Sequence, residues 1–229
     1  MKLAVMQPYL FPYIGYFHLI CAADLFLIYD DVAYIKRGFV NRNNVLSPSG
    51  VTRFTVPVPG ASQNKLFSDL EFSEDVDKVL KTTEHSYSRA PYFENVFPII
   101  RETLEHPDRS IASVCKKSFE EIFSYLDIEK NFEKASEIDY DRSMSARDRL
   151  IALCHHFDAD GYINAPGGRK LYSKQDFLEK GVDLEFVDSL PVEYHQGRED
   201  FVPNLSIIDV LMNCSPEEVK CMLQSYELA

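Results

Sequence analysis

Residues 2–31, KLAVMQPYLFPYIGYFHLICAADLFLIYDD, carry the pattern of a strand, a helix and a second strand. The apolar runs Lys2–Met6 and Leu25–Tyr29 are short and end at loop signals, which is typical of buried strands. Residues Gly15–Ala23 between them are predicted to be helical. A strand, helix and strand this close together predict a parallel strand pair whose carboxyl ends lie at one edge of a sheet. Ligands of open α/β sheets bind at that edge.

The remainder of the chain continues to alternate strands and helices. Residues 33–50 are rich in Asn and Gly, and Val51–Val58 alternates as a strand does. The stretch 33–58 is predicted to be a β-region with a functional loop. Three helices are predicted between Val76 and Tyr125, separated at Pro91 and Pro107. We predict an α/β fold with a mainly parallel, Rossmann-like sheet, in which residues 1–229 form one domain and residues 76–142 form a helical insertion within it.

Composition limits the classes of function. The chain has 229 residues and a formal net charge of −12, so it repels polyanions, and we expect no nucleic-acid partner. Five cysteines without a C-x-x-C pair are expected to be reduced thiols in a cytoplasmic protein. Pro8 and Pro12 interrupt the apolar start, so we predict neither a signal peptide nor a membrane span.

The loop after the first strand is the first candidate ligand site. A strand, loop and helix ending near Gly15 direct backbone N–H groups toward a ligand and suit an anion. Gln7, Tyr9, Gly15 and Tyr16 are therefore candidate substrate-binding residues. The loop is loosely similar to that of the nucleotidylyltransferase superfamily, although Tyr16 stands where that superfamily has the histidine of a Gly-His pair. The alternative is an aromatic loop that packs on the core.

A second candidate site follows the second predicted strand. Adjacent carboxylates at a strand end point to opposite sides, so either Asp30 or Asp31 could face the cleft as a catalytic base or metal ligand. Arg42 supplies a forked donor for a carboxylate or phosphate. The candidate substrate-binding residues of this segment are Tyr34, Lys36, Asn41, Arg42 and Asn43. The alternative is a turn held by Asx hydrogen bonds.

Three later segments complete the candidates. Gly167 and Gly168 permit close backbone approach to a phosphate, although a solvent-exposed loop would have the same sequence. His195 is a candidate acid or base and Gln196 a candidate substrate ligand, with a surface position as the alternative. The Cys154-His155-His156 segment is a weaker candidate, because adjacent helical histidines are poor joint metal ligands and a reactive thiol needs a lowered pKa.

Several motifs resemble the WbqC-like protein family over nearly the whole chain. They are Gln7–Phe17, Asp24, Ile28–Val32, Tyr34, Asn41–Asn43, Ala90–Phe93, Pro166–Gly168, Tyr172, Tyr194–Gln196 and Phe201–Asp209. The Asn164-Ala165-Pro166 sequence departs from the Ser-Gly expected before the glycines. The resemblance implies a bacterial protein from surface-polysaccharide gene clusters, including O-antigen loci.

These observations together predict a biosynthetic transferase of an acyl, aminoacyl or nucleotidyl group. The expected partner is a small molecule such as a nucleotide, a nucleotide sugar or an acyl-thioester, while the cofactor and metal are left open. The alternative is a non-catalytic carrier-binding or scaffolding protein of the same pathway, which needs the aromatic residues Tyr9, Phe11, Tyr13 and Tyr16 to be exposed.

Overall fold

The structure is a computed structural model that describes residues 1–229. It contains eight strands: β1 Lys2–Met6, β2 Leu25–Ile28, β3 Arg42–Ser47, β4 Gly50–Thr55, β5 Asn131–Lys134, β6 Gly161–Asn164, β7 Asp183–Ser189 and β8 Tyr226–Leu228. It contains eight α-helices: α1 Ile14–Ala22, α2 Asp77–Tyr87, α3 Phe93–Leu104, α4 Ile111–Tyr125, α5 Ala146–His156, α6 Lys174–Leu178, α7 Ile207–Asn213 and α8 Pro216–Met222. Short 3-10 helices cover Phe67–Asp69, Ala135–Glu137 and Pro166–Lys170.

A six-stranded sheet of order β5-β2-β1-β6-β7-β8 forms the centre of the molecule, and only the β7–β8 pair is antiparallel. This confirms the predicted α/β fold with a mainly parallel, Rossmann-like sheet. The predicted parallel pair is also confirmed, with Met6 opposite Ile28 in the register of β1 and β2. The chain moves from β1 toward one edge and from β6 toward the other, so the order reverses between β1 and β6. Such a reversal marks the ligand-binding crevice of open α/β sheets.

Both faces of the sheet are covered, which explains why its inner strands are continuously apolar. Leu3 and Val5 of β1 face a cluster that includes Phe177 of α6 and side chains of α5. Ala4 points the other way into the larger cluster, which contains side chains of α1, α4 and α7. The alternation follows from the two-residue repeat of a strand. Helix α1 is thereby fixed against one face of the sheet.

The segment 76–142 contains the three predicted helices, and the prolines lie between them as expected. It also contains β5, which pairs in parallel with β2 and forms an edge of the central sheet. The segment predicted as a helical insertion therefore also supplies a strand to the central sheet, at residues 131–134. Strand β5 is only four residues long, and one of them, Phe132, is buried. A strand this short has no detectable alternation in sequence.

The predicted β-region at residues 33–58 contains two strands, because residues 42–47 form β3 and pair in an antiparallel hairpin with β4. Arg42 and Asn43, assigned to a loop, are strand residues opposite Thr55 and Phe54. Three consecutive polar residues at 42–44 conceal the strand, which tertiary packing of the buried Val45 and Phe54 stabilises. No helix in the structure has the length and apolar character required to cross a membrane.

Candidate functional site

The loop that leaves β1 adopts a strained conformation at Phe11, a buried aromatic residue with a φ of 45°. A left-handed conformation of a bulky residue costs on the order of 1–3 kcal/mol and persists only where the surroundings impose it. Asn43 Nδ2 and Ser206 Oγ both donate to the carbonyl oxygen of Phe11, at 2.9 Å and 2.7 Å. The hairpin and the start of α7 therefore hold the loop in place.

Backbone hydrogen bonds fix the same loop on both sides of Phe11. The N–H of Leu10 donates to the carbonyl of Val40 at 2.9 Å, and the N–H of Ile207 donates to the carbonyl of Pro12 at 2.8 Å. Loops that bind ligands are commonly held on a rigid scaffold in this way. Contacts from residues on both sides of the hairpin and α7 therefore fix the loop.

A pocket of about 330 Å³ lies beside this loop. We call it the β1-loop pocket, and it is lined by Tyr9, Pro12, Tyr13, Phe39, Asn43 and Asn204. The side chains of Tyr13 and Phe39 are 42% and 49% exposed, so two aromatic surfaces are available for contact. Its volume is within the range of small-molecule sites, which begins at about 300 Å³.

A second pocket of about 510 Å³ adjoins the first and shares Tyr13 and Asn204 with it. We call it the His18 pocket. Its lining includes Ile14, Gly15, His18, Ser189 and Tyr194, in addition to the two shared residues. The two pockets lie on either side of Tyr13 and Asn204, near the carboxyl ends of β1 and β7.

Gly15 sets the position of the Tyr13 ring. A Cβ atom on Gly15 would lie 2.4 Å from Cε2 of Tyr13, closer than any real contact. The glycine therefore permits the ring to rest over the start of α1. Tyr13 provides no side-chain cap, so the first N–H groups of α1 are without that partner. Gly15 lines the His18 pocket, and its role in ligand binding stays a prediction.

Tyr16 is buried and hydrogen-bonded to Gln7, whereas Tyr9 lines a pocket. The Tyr16 hydroxyl donates to the backbone carbonyl of Gln7 at 2.6 Å. Its ring is buried among aromatic side chains, including Phe26 and Phe119, and burial raises the pKa of Tyr16. Tyr16 therefore acts as a core residue, as does Phe11, while the half-buried Tyr9 lines the β1-loop pocket.

Asp30, a predicted catalytic residue, is buried directly after β2. Its two carboxylate oxygens accept from the backbone N–H and the hydroxyl of Ser136, at 2.8 Å and 2.6 Å. Burial raises the pKa of Asp30, and the Ser136 hydrogen bonds partly oppose that shift. The contacts of Asp30 tie β2 to the segment after β5.

Asp31, the second predicted catalytic acid, is also buried and carries two arginine partners. It accepts from Tyr140 Oη at 2.6 Å, Arg142 Nε at 2.8 Å and Arg149 Nη2 at 3.4 Å. The Arg149 guanidinium also packs over the Tyr29 ring, 5.2 Å from its centroid. Two cations and one acid give this cluster a net positive charge. Neither Asp30 nor Asp31 lines the two pockets described above.

The remaining residues of the second candidate site lie around the hairpin. The Tyr34 hydroxyl is buried 3.5 Å from Asn41 Oδ1, and Asn41 Nδ2 donates to the carbonyl of Val56 at 2.7 Å. Burial raises the pKa of Tyr34, whereas the charge of Arg42 lowers it. Arg42 Nε donates to the carbonyl of Gly38 at 2.9 Å, which places the guanidinium beside the residue preceding Phe39. Lys36 is exposed.

The glycine loop lies after β6, on the other side of the point where strand order reverses. Gly168 is buried, and a Cβ atom there would lie 2.4 Å from Asn164 Nδ2, so its role is close packing. Gly167 is exposed with open space around its Cα. Arg169 forms a bidentate ion pair with Asp188, at 2.7 Å and 2.6 Å, and the carboxylate neutralises the charge of the guanidinium.

His195 and Gln196, though adjacent, have different environments. His195 is exposed, whereas Gln196 is buried and donates to Asp209 Oδ2 at 2.9 Å. Asp209 also accepts from the hydroxyls of Tyr87 and Tyr194, at 2.6 Å and 2.7 Å. Burial raises the pKa of Asp209, and the three donors oppose that shift. Gln196 therefore belongs to a buried polar network.

Sequence reasoning proposed no role for Asp209, Tyr87, His18 or Ser189. The signal for Asp209 is its position as a lone acid in the apolar helix α7. His18 is likewise an isolated ionisable residue in an apolar and aromatic helix, α1, whose sequence is IGYFHLICA. Histidine is the side chain in this helix whose ordinary pKa lies near neutral pH. A buried polar group must have partners, so both residues could have been flagged.

The Cys154-His155-His156 segment forms no joint site. Burial raises the pKa of the Cys154 thiol to about 12, which keeps it protonated at neutral pH. His155 Nε2 lies 2.9 Å from the carbonyl of Lys180, and His156 packs edge-on against Phe157. No group of three or more His, Cys, Asp or Glu side chains in the chain is arranged to hold a metal ion.

The fold and the pockets define the class first: an α/β protein with a mainly parallel sheet and adjoining small-molecule-sized pockets at the carboxyl edge. The sequence profile of the WbqC-like protein family matches residues 7–221. The chain belongs to the WbqC-like protein family. It is similar to a Mycobacterium tuberculosis protein described as uncharacterized protein Rv1507c, with 30% identity over 221 residues that cover 94% of this chain and 95% of that protein. No solved structure matches the chain.

Proposed function

We propose that this protein is a biosynthetic transferase that moves an acyl, aminoacyl or nucleotidyl group to a small molecule. The expected donor is a nucleotide, a nucleotide sugar or an acyl-thioester. Family membership supports a role in surface-polysaccharide or O-antigen biosynthesis, in the cytoplasm, because the resemblance associates WbqC-like proteins with those gene clusters. We also propose that residues 1–229 act as a single domain.

The observation that carries this proposal is the junction of the two pockets at Tyr13 and Asn204. A transfer reaction needs a donor and an acceptor held next to each other, since proximity removes much of the entropic barrier. Two adjoining pockets of about 330 Å³ and 510 Å³ could each hold one reactant, with the Tyr13 ring between them.

Arg42 is the residue we assign to the anionic part of the donor. Its Nε donates to the carbonyl of Gly38, the residue before Phe39, and Phe39 lines the β1-loop pocket. A guanidinium can bind phosphate or carboxylate through two parallel hydrogen bonds. An exposed Lys36 lies in the same segment and adds positive charge.

The second candidate function is binding without catalysis. The exposed aromatic surfaces of Tyr13 and Phe39 favour it, because such surfaces contact carriers or partner proteins. Phe11 and Tyr16 are buried, so the exposed aromatic area is smaller than a fully exposed loop would provide. A protein of this kind would bind the activated molecule and form no product.

The test is a thermal-shift screen of nucleotides, nucleotide sugars and acyl-thioesters. A ligand at a hundred times its Kd adds roughly 2.7 kcal/mol to the free energy of unfolding, so a hit raises the Tm. The shift should be lost in Phe39→Ala and retained in Leu178→Ala, a matched removal of an exposed apolar side chain on α6. An unchanged shift in Phe39→Ala, or no shift with any ligand class, would contradict the proposed site.

Product formation separates the two functions. A bound ligand that is converted when an acceptor is added indicates a transferase. A ligand that raises the Tm but is recovered intact with every acceptor supports the binding protein. Chromatography of the ligand before and after incubation gives the answer.

A further inference from the structure

His18 is a buried histidine whose two ring nitrogens both have partners. Nε2 lies 2.9 Å from the backbone carbonyl of Met222, and Nδ1 lies 2.9 Å from Oγ of Ser189. The ring also packs against Tyr226, with 5.8 Å between centroids. Three separate segments therefore fix the imidazole on α1.

The partners decide the tautomer. A carbonyl oxygen can only accept, so Nε2 must carry the hydrogen. Nδ1 then has a lone pair and accepts the hydrogen of the Ser189 hydroxyl. Burial lowers the pKa of His18, which favours this neutral form. The arrangement matches a nucleophile, a base and a third group that orients the base, with the Met222 carbonyl as the orienting group.

Ser189 is exposed in the pocket where a substrate would bind, as a nucleophile has to be. It is the last residue of β7, it is exposed, and it lines the His18 pocket at the carboxyl edge of the sheet. The imidazole lies behind it and is shielded from solvent. Leu190 and Val192 follow Ser189 along the same wall, so the pocket offers apolar surface next to the hydroxyl.

The start of α1 lies at the same pocket. Ile14 and Gly15 line it, and the first N–H groups of a helix have no partner within the helix. Ile14 is four residues before His18, so the two lie on one side of α1, one turn apart. Backbone N–H groups placed in this way stabilise the negative oxygen of a tetrahedral intermediate.

We infer that His18 and Ser189 are the base and the nucleophile of an acyl-transfer reaction, and that the His18 pocket receives the acyl group of an activated ester or thioester. This inference rests on the proposed transferase function for its substrate class, since it selects acyl transfer from the three groups considered. The Ser189–His18 pair itself is independent of the ligand in the β1-loop pocket.

The chemistry proceeds in two balanced steps. Ser189 Oγ attacks the acyl carbonyl carbon while its proton moves to His18 Nδ1, and the tetrahedral intermediate expels the thiol or alcohol, which takes that proton from His18. The acyl group is then an ester of Ser189. An acceptor hydroxyl or amine, or water, attacks this ester, gives its proton to His18, and Ser189 Oγ leaves with the proton returned from His18.

Intact-protein mass spectrometry of the full chain tests the pair with two probes, p-nitrophenyl acetate and a fluorophosphonate. We expect one acetyl group or one phosphonyl group on wild-type protein, mapped to Ser189 by peptide digestion. Ser189→Ala should lose both adducts. Ser124→Ala, which removes an exposed serine at the end of α4, should react as wild type does.

His18→Gln tests the base, because a glutamine amide can still donate to the Met222 carbonyl. The acylation rate of Ser189 should fall at least about 100-fold, the usual minimum contribution of a general base. If this variant fails to fold, Ser189→Cys provides the second test, since a thiol next to a neutral imidazole should be alkylated faster by iodoacetamide than Cys221, which is also exposed.

Three results would overturn the inference. They are no adduct on Ser189, the same labelling rate in a folded His18→Gln variant, and an introduced thiol in Ser189→Cys that is no more reactive than Cys221. Acylation of Ser189 combined with no Tm shift from any ligand would leave the pair established and refute the two-pocket transferase. A ligand that raises the Tm without any acylation of Ser189 would instead support the two-pocket site and refute the Ser189–His18 pair.

Discussion

The hydroxyl of Ser206 lies 2.7 Å from the carbonyl oxygen of Phe11, a residue 195 positions earlier in the chain. Ser206 is also the N-cap of α7, where its oxygen accepts from the N–H of Ile208. One fully buried side chain therefore both begins a helix and holds the strained turn of the loop after β1.

Replacing Ser206 by Ala should destabilise the protein by about 2–3 kcal/mol, because a buried carbonyl loses a donor and a helix loses its cap. Denaturant unfolding measures the change. Ser215→Ala is the matched control, since it removes the half-buried N-cap of α8 and should cost roughly 1 kcal/mol. Equal losses in the two variants would mean that the Phe11 contact contributes nothing.

Replacing Arg42 by Ala should weaken binding of the anionic donor about 10- to 100-fold, as expected for losing a charge-assisted hydrogen bond of roughly 1.5–3 kcal/mol. Isothermal titration calorimetry with the ligand found by thermal shift gives the Kd. Arg53→Ala removes an exposed arginine from β4 of the same hairpin and should leave the Kd unchanged. A folded Arg42→Ala protein that binds normally would remove Arg42 from the site.

Replacing Gly15 by Ala should displace the Tyr13 ring, because the new methyl group overlaps Cε2 of that ring. The ring is 42% exposed and free to turn outward, so we expect folding to persist and ligand affinity to fall. A double-mutant cycle with Tyr13→Ala checks this cause. Once the ring is absent, the Gly15→Ala change should have little further effect on Kd, and additive losses would argue against it.

The pKa of His18 predicts a pH-dependent stability. Its folded-state pKa lies below the ordinary value of 6.5, so below that pH the unfolded chain binds a proton that the folded protein does not. Stability from this group is therefore present above pH 6.5 and is lost as the pH falls toward the folded value. The ring faces the Ser189 hydroxyl, the Met222 carbonyl and the Tyr226 ring, none of which is cationic.

The measurement is the Tm of wild type and His18→Gln at several pH values between about 5 and 7.5, a window that brackets the ordinary histidine pKa. The wild-type Tm should fall more steeply on acidification than that of the variant. Parallel curves would show that His18 keeps an ordinary proton affinity in the folded state.

Replacing Asp31 by Asn should act mainly on stability. The change removes the carboxylate that neutralises Arg149, whose side chain is only 15% exposed, and breaking such a pair costs about 3 kcal/mol. We expect a lower Tm with little change in the Kd of a ligand at the β1-loop pocket. Lost binding or acylation with an unchanged Tm would instead restore Asp31 as a functional residue.

The sequence was informative where burial is continuous. Strands β1 and β2 are apolar on both faces, so their existence, parallel pairing and shared edge follow from residues 2–31. Strand β3 escaped prediction because Arg42, Asn43 and Asn44 are polar, and Asn43 is used for a contact with Phe11, 32 positions earlier in the chain. Local periodicity contains no information about such partners.

The candidate site was predictable only in part. Tyr9, Gly15 and Asn43 line the two pockets, and their role in binding stays a prediction. The His18–Ser189 contact joins residues 171 positions apart, and Asp209 meets Tyr87 across 122 positions. Contacts between residues so far apart in sequence depend on how the strands and helices are arranged in the fold. No single segment of the sequence specifies that arrangement.

Strand β8 has a consequence beyond completing the sheet. It runs antiparallel along β7, with Tyr226 opposite Ser189, and it follows α8, whose last residue, Met222, accepts from His18 through its carbonyl. A protease cut within Leu223–Ser225 would release this strand and free the imidazole to rotate away from the hydroxyl. Limited proteolysis should therefore abolish the nucleophilic reactivity of Ser189 before the central parallel sheet unfolds.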